Sequence, residues 1–287
     1  MYPTVSTKDP KSVATAVEEL CGSMFPQGDR SFVGRAFGWA AECFEGRNKD
    51  YQAIDALYHD FEHTLQVTLC LGRLVAGMHT SGEGLKLSES QFQLVLLAIL
   101  LHDTGYLKKR DDTEGTGAKY TQVHVARSAE FSRKLLNEKS YTSDQIRSVG
   151  NMIRCTGVNA DLKSIPFQEE WEKVLGCALA TADLLGQMAA SDYVDKLPIL
   201  FEEFAESARF QTKDPSATGM FASAEDLMIK TPFFWEKYVV PKITHDFGSL
   251  HKFLADPFPG GPNEYMERIE ANIEILKKRV TSKLVVT

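Results

Sequence analysis

Apolar residues recur at helical spacing along almost the whole chain, and no segment carries a β-hairpin signal. Residues 11–21 form a short amphipathic pattern and 31–46 a second. A longer one begins near Ile54 and runs to about Met78, with Leu65, Leu69, Leu71, Leu74 and Val75 on one broad face. Ser88 opens a further helix through the aliphatic stretch 94–101 to the pair His102-Asp103, with Gly105 as a stop signal. Helices are also expected over 121–138, 143–155, 168–187, 190–208, 233–254 and 263–280, with Pro232 at the entry to the penultimate one and Asn263 capping the last. Polar segments with glycine or proline at 108–117, 211–219 and 256–265 read as loops. Strand-like alternation is confined to the tail, 282–287. The pattern predicts an all-α fold.

Composition narrows the function. The 287 residues are 43% hydrophobic and 25% charged, which fits a folded globular chain rather than a disordered one. A net charge of −7 excludes a general nucleic-acid binder, because no broad positive field meets the phosphate backbone. Five widely spaced cysteines without a CxxC pair predict buried free thiols rather than a disulfide framework or zinc knuckle. The N-terminal residues lack the apolar core of a secretory signal, and eight aliphatic residues are far short of the roughly 20 that span a bilayer. The expectation is a cytoplasmic protein with no membrane association.

Candidate chemistry gathers around the histidines. Five of the seven, His59, His63, His79, His102 and His124, lie between 59 and 124, beside Asp60 and Asp103. His59 and His63 are four apart, so on the helix that begins near Ile54 they share one face. His102-Asp103 ends a strongly apolar helix, where a charged pair needs a partner or a metal. Asp183 stands among Ala178, Leu179, Ala180, Ala182, Leu184 and Leu185, where a lone carboxylate is equally costly. Imidazoles with carboxylates form a donor set for first-row divalent metals.

YHDFEHTLQV at 58–67, LLAILLHDTGY at 96–106 and TADLLGQM at 181–188 together resemble the ordered H…HD…D signature of the HD-domain metal-dependent phosphohydrolases. The local texture is closest to class I cyclic nucleotide phosphodiesterases and related bacterial HD proteins. HDTGY and RSAEF at 127–131 are also similar to a bacterial group of HD hydrolases. The resemblance covers roughly 50–205 and implies one all-α domain over 1–287, an HD-like helical bundle with extensions at 1–49 and 206–287.

Carried over by motif, the resemblance makes His63, His102, Asp103 and Asp183 ligands of one divalent ion (Mn, Mg, Fe or Zn). Asp103 would bridge to a second ion, with His124 a further ligand. His59 matches the histidine that protonates the leaving oxygen, and Asp60 replaces the family's asparagine. The implied activity is hydrolysis of a small anionic phosphoester, nucleotide or cyclic-nucleotide-like, by metal-activated water. Arg127, Lys108 and Tyr106 are candidate substrate contacts. The expected second histidine near 153–156 is missing, since Cys155 and Thr156 stand there. A diiron oxygenase and a degenerate HD sensor module are the alternative readings, and a homodimer is compatible with the helical flanks.

Overall fold

The computed structural model describes residues 2–284, with side chains through residue 279. The helices are α1 (Pro10–Met24), α2 (Ser31–Phe44), α3 (Phe61–Thr80), α4 (Glu89–Leu101), α5 (His124–Glu138), α6 (Ser143–Arg154), α7 (Glu170–Met188), α8 (Tyr193–Thr212), α9 (Ala224–Phe234) and α10 (Glu264–Leu284). The described residues contain no strand, only an isolated antiparallel bridge between Tyr51 and Lys109. The fold is all-α, as the periodicity predicts. The last three residues of the tail read as strand-like, 285–287, lie outside the described residues.

The stretch 94–101 of α4 is apolar on every side, so it can only sit in the centre of the bundle. All of 94–101 is buried, and α2, α3, α6 and α7 pack around it. Its N-terminus is closed by a capping box between Ser88 and Gln91. α3 packs against α1, α4 and α7, and α5 lies on α6. Both extensions join the same core: Val13 and Val17 of α1 and Ile269, Ile273 and Leu276 of α10 are buried in one cluster with α4. Asn272 of α10 donates to the carbonyls of Met188 and Ala190, which closes the C-terminal end of α7. No single helix among the described residues is long and apolar enough to cross a membrane. All five cysteines are free and buried.

Two helix starts differ most from the sequence reading. α3 starts at Phe61 rather than near Ile54, because the Asp60 carboxylate caps it by accepting the His63 N–H at 2.8 Å. His59 therefore precedes the helix and shares no helical face with His63. The segment expected as one helix over 233–254 begins earlier, at Ala224 behind a Ser223 cap. It continues through π-helical turns at Trp235–Val239 and Lys242–Asp246 and a 3₁₀ turn at Leu250–Leu254. Pro232 lies inside α9 rather than at its entry. Asn263 caps α10 as expected, accepting the Met266 N–H at 3.2 Å.

Candidate metal centre

Three helices deliver the donors. His63 sits in the first turn of α3, fixed there by the Asp60 cap. His102 and Asp103 end α4, and Asp183 lies inside α7. Gly186, one turn after Asp183, is where α7 meets α3: a Cβ there would stand 2.8 Å from Val67 Cα and 3.2 Å from the Gln66 carbonyl oxygen. Only a glycine allows this approach, and it brings Asp183 to His63. Gly105 does the same for the turn Thr104–Tyr106. A Cβ would lie 2.0 Å from the His124 carbonyl oxygen, so the glycine serves close packing on α5 rather than simply stopping α4.

Four side-chain atoms converge. Asp103 Oδ2 lies 3.2 Å from both His63 Nε2 and His102 Nε2, and Asp183 Oδ1 lies 3.5 Å from both. His63, His102 and Asp103 are at most 3% exposed, and Asp183 is 15% exposed. His63 Nε2, His102 Nε2 and Asp103 Oδ2 are buried without a properly aligned hydrogen bond, although they are this close together. Buried polar atoms left unpaired are costly. Atoms that point at a common centre instead of at one another match the donor set of a divalent cation. His102 Nδ1 donates to the Ile99 carbonyl at 2.7 Å, which fixes the ring and leaves Nε2 with its lone pair.

The four groups also shift one another's protonation. Burial opposes charge on His63, but Asp103 and Asp183 outweigh it and bring the ring up to about 9. His102 is raised by the same carboxylates against the same burial penalty. Asp103 and Asp183 are pushed below the usual carboxylate range, again against burial, by the two histidines.

The other carboxylate oxygen of Asp103 faces a different histidine: Oδ1 is 3.8 Å from His124 Nε2. His124 opens α5 and is held through Nδ1 by the Thr121 carbonyl. Burial lowers its basicity and so favours the neutral, ligating form. Asp103 thus stands between two imidazole groups. Cys155 and Thr156 bring nothing to this side: Cys155 Sγ is buried against the Asn151 carbonyl, and the Thr156 hydroxyl donates to Ile153.

His59 flanks the cluster. Its Nδ1 lies 2.6 Å from Glu203 Oε2, and Glu203 Oε1 accepts the Tyr58 N–H at 2.7 Å. Glu203, on α8, is 4% exposed and has no counterpart in the sequence reading; Asp60, beside His59 in sequence, is occupied as the α3 cap. Tyr106 is fully buried, its ring stacked 4.6 Å from His59 and 4.9 Å from His124. It is a spacer between two histidines rather than an exposed substrate contact.

The two expected phosphate-binding cations both bond the protein's own backbone. Lys108 is buried, paired with Asp55 at 2.9 Å and bonded to the Gly115 carbonyl. Arg127 does face the motif from α5, but its Nε and Nη2 donate to the carbonyls of Gly105 and Leu107 at 2.7 and 2.6 Å. Both residues brace the loop behind Asp103.

The profile of one family matches residues 37–255, well over half of the chain. The chain belongs to the Npun_R2479-like family. The family segment contains every residue of the centre and reaches from within α2 to the 3₁₀ turn before α10, leaving α1 and α10 outside it. No curated protein matches the chain.

Proposed function

We propose that this protein is a metal-dependent phosphohydrolase on an HD-type helical bundle, acting on a small phosphoester. The observation that carries the reading is the convergence of His63, His102, Asp103 and Asp183, with three buried donor atoms lacking aligned hydrogen-bond partners. These four residues would hold the cation, and Asp103 Oδ1 with His124 would serve a second one. A divalent cation bound there polarises a phosphoryl oxygen and makes water acidic enough to act as nucleophile near neutral pH.

The protein's own residues supply the rest. His59, oriented through Nδ1 by Glu203, presents Nε2 as the proton donor to the leaving oxygen. Burial works against charge on Glu203, but His59 and the Tyr58 and His59 N–H groups hold its carboxyl below the usual range. Stacking on Tyr106 restricts rotation of the ring. Gln187 accepts from the Tyr58 hydroxyl at 2.9 Å and donates toward Asp183 Oδ1 at 3.5 Å, which ties the two sides of the site together.

The test is a phosphoester panel with Mn²⁺, Mg²⁺, Fe²⁺ and Zn²⁺ supplied in turn, covering cyclic nucleotides, nucleoside monophosphates and bis(p-nitrophenyl) phosphate. Metal-dependent release of the leaving group, lost in Asp183→Ala, supports the reading. Oxygen consumption without phosphoester cleavage would favour a diiron oxygenase instead, and a metal-bound protein inert in both assays would favour a sensor module.

A further inference from the structure

A cavity of about 590 Å³ is lined in part by sequence neighbours of the proposed ligands, yet none of the ligands lines it. Its wall comes from elements that also build the centre. Thr104 follows Asp103, and Val123 and Ala126 flank His124. Its volume suits a molecule of one or two rings.

The lining has a definite chemistry. Tyr51 and Phe131 meet edge to face at 5.3 Å, and the Tyr120 ring is backed by the Arg127 guanidinium at 3.5 Å. Aromatic walls of this kind favour a planar ring. Two of the three carboxylates in the lining are already neutralised. Asp112 is held by Lys119 and the Tyr120 hydroxyl, and Glu130 by Arg133 and Lys134. The third, Asp111, is exposed.

The cations have spare capacity. Arg127 uses two of the five guanidinium N–H groups on Gly105 and Leu107, so three remain. Lys109 is exposed and, among the described residues, has no carboxylate within ion-pair distance. We propose that this cavity binds a small planar aromatic molecule carrying one anionic group, with the ring among Tyr51, Tyr120 and Phe131 and the anion at Lys109 and the free Arg127 donors. The inference is independent of the phosphohydrolase reading, because binding here needs neither the metal nor turnover.

The experiment is calorimetric titration of the full chain with 4-hydroxybenzoate and phenylphosphonate, which separate a carboxylate from a phosphonate anion. Tyramine and acetate test the charge and the ring. Saturable binding of at least one aromatic anion is expected, with tyramine and acetate weaker by about tenfold or more. Ala126→Trp, which fills the cavity, and Lys109→Glu, which reverses the rim charge, should each weaken it by a similar factor. Both positions are exposed, and thermal melts with metal content confirm that the variants fold. Asp183→Ala should leave this binding intact. The proposal is overturned if neither aromatic anion binds at about 1 mM, if tyramine or acetate binds as well, if both cavity variants bind normally, or if Asp183→Ala alone abolishes binding.

Discussion

His59 Nδ1 stands 2.6 Å from Glu203 Oε2, a contact between residues 144 positions apart. α8 thus reaches back to orient a histidine that precedes α3. Glu203→Gln keeps the shape of this contact and removes its charge. The phosphohydrolase reading predicts a fall in kcat of about 10–100-fold with KM and metal content unchanged, and a larger loss in His59→Asn, about 10²–10⁴-fold. Steady-state kinetics with metal analysis check this; a Glu203→Gln protein with wild-type kcat would remove the positioning role.

Gly186→Val should push α7 away from α3. The Cβ would meet the backbone of Val67 and Gln66, which cannot rotate aside as a side-chain tip can. The expected cost is about 1–3 kcal/mol of stability, together with weakened cation binding because Asp183 moves off His63. Denaturant melts and metal titration of Gly186→Val beside Gly186→Ala measure both effects, with the alanine variant milder.

Lys108→Met separates a brace from a phosphate contact. The ammonium is buried against Asp55 and the Gly115 carbonyl, although Asp55 itself is 39% exposed. Partial exposure puts the expected loss at about 1–3 kcal/mol, below that of a fully buried pair. KM for a phosphoester should not change. A higher KM with unchanged stability would restore Lys108 as a substrate contact.

The cation-free protein should be most stable at intermediate pH. Burial works against every charge in the cluster, but the ion pairs prevail and shift the groups in opposite directions. His63 is raised to about 9, and His102 also upward, so their contribution is full below about 6.5 and fades as pH rises through 9. Asp103 and Asp183 are lowered, so their contribution is full above the usual carboxylate range and fades only at more acidic pH. A bound cation replaces the histidine protons, so loading should remove the alkaline decline. Melting temperature against pH, with chelator and with Mn²⁺, tests this; identical curves would contradict it.

Sequence patterning exposed what depends on contiguous residues. The apolar run 94–101 must be central, and the His102-Asp103 pair at its end stands out for that reason. Asp183 is legible because its neighbours are small and apolar. What stayed hidden depends on partners distant in sequence. The buried apolar stripe of α8 includes Leu197, Phe201 and Ala205, and Glu203 falls outside that spacing although it is buried. Lys108 reads as a loop cation until Asp55 is seen beside it. Asp60 resembles a catalytic neighbour of His59 by adjacency, but the backbone turns between them and makes it a helix cap. The start of α9 is not legible because its residues carry only a weak amphipathic pattern and Pro232 reads as an entry signal.

The central claim is that His63, His102, Asp103 and Asp183 hold a divalent cation. Elemental analysis of the protein purified without added metal, beside His102→Ala and Asp183→Ala and after chelation and re-addition of Mn²⁺, tests it directly. The account predicts at least one divalent ion per wild-type chain, removable and restorable, and substoichiometric metal in both variants. A folded wild-type chain that takes up no divalent ion, or variants that retain it at wild-type stoichiometry, would contradict the account.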